Sequence, residues 1–491
     1  MSYIKGVSKE QQVLFPSSLD EYIDEDSIVR AVGAFVEHLP VDEMGFLRGD
    51  ESQTKGRPGY DPRIMLAIFI WGHLNNVRSS RRLERECGRN VELMWLSGML
   101  KPDFKTLCRF RQFNGEAIKE VLARFRMWCD EVGLIGKEVV AIDGSKFKAV
   151  NSSARNVTRG QLAKRIAKEK KKIARYLKEL AETDEQDGGD EARPAAGELR
   201  EKIATIGEFI EKQEKQLERM KEEGVTQVSE TDPESRLMKT RNGMSVAYNV
   251  QTVVDDKHKL IVGVTVTNDV SDRTLLTEMA RQTKEELGVE ELTVIADGGY
   301  YACEAIRTCE KDDIKTYVPI RETEQDEEKS GRFKRERFEY DKEKDVYVCP
   351  QGEELKKIGT TTREIRGGKK KMFVFGTKAC ANCPLKSRCT TSKYGRQVKR
   401  WVHEEVTERL RERLAENPEM LKKRKGMVEH PFGTIKVGMG HDRLLMKGKA
   451  KVGTELNLSV LSYNLKRVKS ILGIDKMIGL LKTAKPAYQT A

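Results

Sequence analysis

The chain has 491 residues, 34% of them charged, with a formal net charge of +12 and a pI of about 9.0. This length predicts about three domains. No apolar run reaches the roughly 18 residues of a membrane helix, and the N-terminus lacks the apolar segment of a signal peptide. Secreted, membrane and disordered classes are therefore excluded, and we expect a soluble cytoplasmic protein with a polyanionic partner and no membrane contact.

The N-terminal region is predicted to be helical and basic. Pro62 suits the start of a helix, and apolar residues follow it at helical spacing. Arginines recur downstream at the same spacing, so a basic face on a helical domain over residues 1–130 predicts DNA contact. The predicted contacts are Arg78, Arg81, Arg82, Arg109 and Arg111. A packing domain with solvated arginines is the alternative.

From residue 137 the pattern changes to alternating strands and helices. The run KEVVAIDGSKFKAV predicts a buried strand ending at Asp143, and ELTVIADGGYY predicts another ending at Asp297. Two strands over 244–268, an amphipathic helix ending at Gly288, a short helix and a last strand complete the order β, β, β, α, β, α, β. This order predicts a mixed α/β sheet with helices packed on it.

Residues 159–223 interrupt the sheet region with two apolar heptad seams. We expect an antiparallel helical hairpin that packs on itself. Dimerisation, or DNA binding along the basic first helix, are the alternatives.

Four cysteines form a cluster inside a basic segment. Residues 359–400 carry 12 basic residues and one acidic residue, which predicts nucleic-acid contact rather than solubility alone. Cys349, Cys380, Cys383 and Cys389 have the spacing C-x30-C-x2-C-x5-C. CxxC presents two thiolates on one turn, so this cluster predicts one structural Zn²⁺. Four unrelated buried cysteines are the alternative.

Paired carboxylates predict a second, catalytic metal site. Phosphodiester cleavage by two metal ions needs carboxylates that converge, and oxygen ligands suit Mg²⁺ or Mn²⁺. Parallel neighbouring strands would bring Asp143 and Asp297 to one sheet edge. Glu429, set among cations and followed by Lys436, is the candidate third ligand. The competitors that spacing does not dismiss are Asp232, Asp255, Asp256, Asp269 and Asp272.

These segments, in this order, resemble a bacterial insertion-sequence transposase of the DDE type. The segments PGYDPRIMLAIFIWGHLNNVRSSRRLERE and PDFKTLCRFR resemble the helical N-terminal domain of this family. AIDGSKF and VIADGGYY resemble its two aspartate strands, and VEHPFGTIK resembles its glutamate helix. The resemblance implies a ribonuclease-H-like core over 137–320 and 405–475. It also implies a zinc-ribbon-like insertion over 321–404.

The resemblance makes Asp143, Asp297 and Glu429 the catalytic triad that holds two Mg²⁺ ions. The family often carries a Tyr-x2-Arg-x3-Glu-x6-Lys signature, of which Lys436 matches the last position. Lys422 and Lys425 replace the tyrosine and the arginine, and Arg424 is a candidate substitute for the phosphate contact. Arginine and lysine are not equivalent at such a site.

The implied function is a DNA transposase that cuts the ends of its element and joins them to target DNA. The implied partners are the terminal inverted repeats, target DNA and a second copy of the chain when DNA is bound, in a bacterial, nucleoid-associated setting. A transposase-derived, non-catalytic DNA-binding regulator is the alternative, and a nuclease that cuts without joining is a third possibility.

Overall fold

The computed structural model describes residues 18–47, 59–151, 155–185, 192–240, 243–320, 331–365 and 368–483. These ranges contain both helices and a mixed sheet, so the predicted α/β class is confirmed. Among these residues, no helix is both long and apolar enough to cross a membrane.

The helices of the described ranges are numbered in chain order. They are α1 (Ile28–Glu37), α2 (Pro62–Leu74), α3 (Ser80–Cys87), α4 (Val91–Ser97), α5 (Phe104–Phe113), α6 (Gly115–Glu131), α7 (Arg159–Glu185), α8 (Ala192–Glu222), α9 (Leu276–Leu287), α10 (Cys303–Lys311), α11 (Lys386–Cys389), α12 (Glu404–Glu416), α13 (Glu419–Gly433), α14 (Lys449–Leu472) and α15 (Ile474–Lys482).

The strands of the described ranges follow the same numbering. They are β1 (Val139–Lys148), β2 (Asn156–Thr158), β3 (Gln227–Ser229), β4 (Arg236–Thr240), β5 (Gly243–Asp255), β6 (Ile261–Thr267), β7 (Leu292–Ala296), β8 (Ile314–Tyr317), β9 (Glu339–Asp341), β10 (Val346–Val348), β11 (Glu354–Ile365), β12 (Gly368–Gly376) and β13 (Val398–Trp401).

The chain forms two compact units. The first comprises Met1–Gly136, Gly144–Val270 and Val428–Ala491, and the second comprises Lys137–Asp143 and Ser271–Met427. Strand β1 and helix α13 each run from one unit into the other. The expected core over 137–320 and 405–475 is therefore divided between the units.

In the first unit, the N-terminal helices pack around α14. Helix α2 begins with Pro62 directly after Asp61, whose carboxylate accepts the amide hydrogen of Arg63. Helix α14 buries most of its apolar residues against α2 and α6. Helix α14 is distant in sequence from the N-terminal helices, yet it belongs to the same unit and packs against them.

The first unit also holds an antiparallel sheet and a helical hairpin. Strand β5 pairs with β4 along its first half and with β6 along its second half, and β1 is its other neighbour. Helices α7 and α8 pack antiparallel, with Leu162 and Met220 in one buried cluster and a Lys170–Glu214 ion pair of 2.7 Å further along.

In the second unit, β1, β7 and β8 are parallel neighbours. Helices α9 and α10 lie in the crossovers between these strands and pack against β7 and β8. Helix α9 ends where Gly288 adopts a left-handed conformation with φ of 62°, as its sequence predicts. A separate antiparallel sheet follows, with strand order β13-β12-β11-β10-β9.

Candidate active site and cysteine cavity

Asp143 and Asp297 lie side by side on two parallel strands, although β1 continues past Asp143 to Lys148 instead of ending there as the sequence predicted. The register pairs Ile142 of β1 with Ala296 of β7, and each aspartate is the next residue in its chain. Because both strands run in the same direction, this register brings the two aspartates to neighbouring positions on adjacent strands. Asp297 also begins a short turn and accepts the amide hydrogen of Gly299 at 2.6 Å. A Cβ on residue 299 would lie 2.7 Å from that carboxylate oxygen, so a side chain there would displace the Asp297 carboxylate.

A cation and a buried phenol stand beside the two aspartates. The guanidinium of Arg424, on α13, lies 3.4 Å from a carboxylate oxygen of Asp143. Tyr300 is fully buried, and its burial raises the pKa of its hydroxyl far above the usual range. The negative charges of Asp272, Asp143 and Asp297 raise that pKa further. Tyr300 is therefore a neutral hydroxyl next to three carboxylates.

Asp272 is the only one of the five competing aspartates that lies in this unit. Its turn, Asp272–Thr274, packs against the turn Gly298–Tyr300. Asp232 and Asp255 are buried in the first unit, where they accept hydrogen bonds from Tyr248 and from the backbone of Lys257, respectively. Packing therefore brings Asp272 next to the aspartate pair, which spacing alone did not reveal.

Glu429 and Lys436 lie in the first unit. Glu429 is an exposed residue of α13, five residues after Arg424. Lys436 lies in a π-helical turn; its amino group donates to the Ser145 hydroxyl at 2.5 Å and to the Lys146 carbonyl at 2.8 Å. This holds Lys436 against the end of β1. Within the described ranges no three His, Cys, Asp or Glu side chains form a ready-made metal site.

Two of the arginines predicted to contact DNA are buried instead. Arg78 forms a 2.9 Å ion pair with Glu455 of α14, and Arg111 donates to the carbonyl of Arg78. Both side chains are nearly inaccessible to solvent, so the prediction of DNA contact is wrong for them. The physical reason is that α14 covers this face of the helices. Arg81, Arg82 and Arg109 are exposed.

The four clustered cysteines line one small cavity of about 20 Å³ in the second unit. All four are free thiols and half-buried. Burial raises the pKa of Cys389; the charge of Arg396 opposes this shift, and the other three cysteines add to it. Phe338 and Leu355 form part of the adjoining core. The four thiols therefore line one cavity, although they are not gathered into a ready-made metal site.

Sequence patterns did not reveal three features near these residues. They are the burial of Tyr300, the ion pair between Arg424 and Asp143, and the π-helical turn around Lys436. For the burial of Tyr300, the only available sequence signal was the pair of glycines after Asp297, because it predicts a tight turn there.

Residues 348–469 match a family model described as a transposase DDE domain, and residues 17–113 match one described as a transposase domain (DUF772). Among solved structures, the chain is similar to the piggyBac transposase synaptic complex with hairpin DNA, determined by cryo-EM. That likeness has 8% identity and a TM-score of 0.30, and it covers 95% of this chain and 81% of that one. It is too weak to carry an argument. No curated protein matches the chain.

The two matched regions lie at opposite ends of the chain. The first includes the four cysteines, Glu429 and Lys436, and the second includes Arg78, Arg81, Arg82, Arg109 and Arg111. Neither family model covers half of the chain, so the matches show that these two regions are similar to a transposase DDE domain and to a transposase domain (DUF772).

Proposed function

We propose that this protein is a transposase that cuts the ends of its element and joins them to target DNA, with Asp143 and Asp297 as catalytic residues and Glu429 as the third. The observation that carries the proposal is the parallel register of β1 and β7, which puts two aspartates at neighbouring positions beside a cation. Parallel β1, β7 and β8, with antiparallel β5 and β6, also support a ribonuclease-H-like core.

The carboxylates at this site are of the chemical type that binds divalent metal ions. Carboxylate oxygens are the ligands that Mg²⁺ and Mn²⁺ prefer, and Arg424 shows that Asp143 accepts a cation at this position. When bound, a pair of such ions supplies an activated attacking oxygen and stabilises the leaving oxygen. Asp143 and Asp297 would hold them from neighbouring positions of β1 and β7. Glu429 is proposed as the third ligand because it precedes Lys436 by seven positions, the spacing of the family signature.

The remaining residues position DNA. Arg424 would contact a phosphate near Asp143 once its present ion pair is replaced. The amino group of Lys436, held by Ser145 and the carbonyl of Lys146, would contact another phosphate at the end of β1. The buried hydroxyl of Tyr300 stays neutral, so it adds no charge to the site.

The chain's charge supports duplex DNA as its partner. The exposed Arg81, Arg82 and Arg109 would bind the terminal inverted repeats. Two element ends must be held together before they are joined, so we propose that the DNA-bound form is a homodimer.

We propose that the cysteine cavity holds one structural Zn²⁺. Thiolates are its preferred ligands, and a cavity of this size admits one small ion. Protein purified without chelator should contain near-stoichiometric zinc, and a chelator should expose Cys349, Cys380, Cys383 and Cys389 to a thiol reagent. Cys380→Ser should lower the zinc content. Protein with no zinc and four thiols that react at once would contradict this proposal.

The test of catalysis is nicking of a plasmid that carries the gene's own flanking DNA. We expect wild type to cleave at the element ends in Mg²⁺ or Mn²⁺, and Asp143→Asn and Asp297→Asn to bind the ends without cleaving them. Asp269→Asn is the matched control, because Asp269 contacts Thr267 in an exposed turn of the first unit.

Three other outcomes would redirect the proposal. End binding without cleavage by wild type would favour the non-catalytic regulator. Cleavage without strand-transfer product would favour a nuclease. Loss of both binding and cleavage in Asp297→Asn would make Asp297 a structural residue.

A further inference from the structure

The hairpin of β11 and β12, residues 356–376, projects beyond its sheet as a two-stranded ribbon. The two strands pair with each other from Gly359–Val374 to Ile365–Gly368. Strand β10 pairs with β11 only near Leu355. Strand β13 pairs with β12 only from Met372 to Phe375. Among the described residues, the outer part of this ribbon therefore has no neighbouring strand.

This ribbon is strongly basic and its charge is largely unpaired. The segment 356–376 contains seven basic residues and one acidic residue. Arg363 lies directly opposite Lys370, an arrangement of like charges that destabilises a sheet. Within the described ranges, no carboxylate lies within ion-pair distance of Lys356, Lys357, Arg363, Lys369 or Lys371. A surface of this kind needs an anionic partner to offset its repulsion.

The two faces of the ribbon have different surroundings. On one face, the amino group of Lys370 lies 3.2 Å from the sulfur of Cys303 and 5.1 Å from the centre of the Trp401 ring. That face therefore rests on protein. Cross-strand pairing assigns Lys369 and Lys371 to the other face, where both side chains are exposed.

The exposed face has the composition of a phosphate-binding surface. Thr360 and Thr362 accompany the two lysines there, together with Glu364 directly opposite Lys369, and all three are exposed. At the base of the same face, the amino group of Lys357 lies 3.2 Å from the centre of the Phe373 ring, which fixes its direction. The hydroxyl and ammonium groups are donors, as phosphate oxygens require.

We propose that this ribbon lies in the major groove of duplex DNA, with Lys369 and Lys371 on the flanking phosphates. The major groove of B-DNA admits a two-stranded β-ribbon, and a free ribbon is what the strand pairing provides. The inference deepens the proposed function, because it assumes that DNA is the substrate. It assigns a DNA contact that is separate from Asp143, Asp297 and the N-terminal arginines.

The test compares two double variants of the full-length protein. Lys369→Gln with Lys371→Gln removes two unpaired charges from the ribbon. Lys342→Gln with Lys344→Gln removes two charges from the same sheet, where both lysines already pair with Glu408 and Glu354. Binding to a labelled duplex is measured by fluorescence anisotropy over a series of salt concentrations, with unfolding curves to show that each variant folds.

We expect the ribbon variant to lower the slope of log K against log salt by about two, since each phosphate contact contributes about 0.9. The control variant should keep the wild-type slope, and Lys369→Arg with Lys371→Arg should restore it. Wild type should protect guanine N7 in the major groove from dimethyl sulfate, and the ribbon variant should lose this protection.

Several results would overturn the proposal. An unchanged salt slope in the ribbon variant would show that Lys369 and Lys371 do not contact phosphates. Equal losses in both variants would attribute the effect to net charge alone. Ribbon-dependent binding to phosphatidylserine vesicles but not to DNA would assign the surface to a membrane. The salt slope is measured independently of cleavage. If wild type cleaves DNA but its slope does not depend on the ribbon lysines, only the ribbon proposal is refuted. If binding depends on the ribbon but no cleavage occurs, only the proposed catalysis is refuted.

Discussion

The guanidinium of Arg424 lies 3.4 Å from the carboxylate of Asp143, in the middle of strand β1. Both side chains are only partly exposed, so the pair is shielded from solvent more than a surface ion pair is. In this chain Arg424 stands one position before the signature position of the family's arginine, which is Lys425 here. The contact supports Arg424 as the residue that supplies the missing charge.

Arg424→Ala is expected to slow end cleavage by roughly 10²-fold, the usual effect of removing one donor that stabilises a transition state. Arg424→Lys should recover only part of the rate, because a lysine cannot form the bidentate contact. Single-turnover nicking with saturating protein measures this. Lys425→Ala is the control, and a larger loss in that variant than in Arg424→Ala would return the role to Lys425.

Two candidates for the third carboxylate can be separated. Glu429→Gln should abolish cleavage, whereas Asp272→Asn should reduce it by a smaller factor, since Asp272 adjoins the site through the turn that contains Tyr300. Cleavage assays at increasing Mn²⁺ measure both. A variant Asp272→Asn that is inactive, paired with an active Glu429→Gln, would exchange the two roles.

The buried pair of Arg78 and Glu455 should be a stability element. Glu455 is inaccessible and Arg78 nearly so, and Glu455 also accepts amide hydrogens from Leu445 and Met446. Glu455→Gln leaves the arginine charge uncompensated, and it should lower the free energy of unfolding by about 3–5 kcal/mol. Urea unfolding measures the change.

The exposed arginines are expected to affect DNA binding rather than stability. Replacing Arg81, Arg82 and Arg109 by glutamine should leave the urea midpoint nearly unchanged and should weaken DNA binding. A stable Arg78→Gln variant with impaired DNA binding would show that this buried arginine reaches DNA after all.

Stability should fall in mild acid because of two buried histidines. The rings of His73 and His441 are 5.3 Å apart. Burial, and then the charge of Arg78, lower the pKa of His441 to about 3, and burial also holds the pKa of His73 well below 6.5. Unfolded histidines bind protons below about pH 6.5, while these two stay neutral in the folded protein.

The unfolded state therefore binds more protons, and stability is lost as the pH falls from about 6.5 towards 3. Between pH 7 and 5.5, each histidine should contribute a loss of about 1 kcal/mol. Urea unfolding at both pH values should show a smaller difference in His441→Gln than in wild type. Equal differences would mean that His441 is not neutral in the folded protein.

The local pattern determined much of this protein. The apolar runs ending at Asp143 and Asp297 predicted two buried strands, and the parallel register brings both aspartates to neighbouring positions. Pro62 and Gly288 marked a helix start and a helix end, because proline fixes φ and glycine tolerates the left-handed conformation. These signals depend only on neighbouring residues, so they can be recognised without knowledge of the rest of the chain.

Tertiary structure alone decided which side chains are covered. Helical spacing put Arg78 and Arg81 on helices but did not show that Glu455, 377 residues away, would bury only the first. It also did not show that Asp272 would lie beside the aspartate pair, or that β11 and β12 would outrun their sheet. Burial depends on contacts between distant segments, and sequence periodicity records only the neighbours within one element.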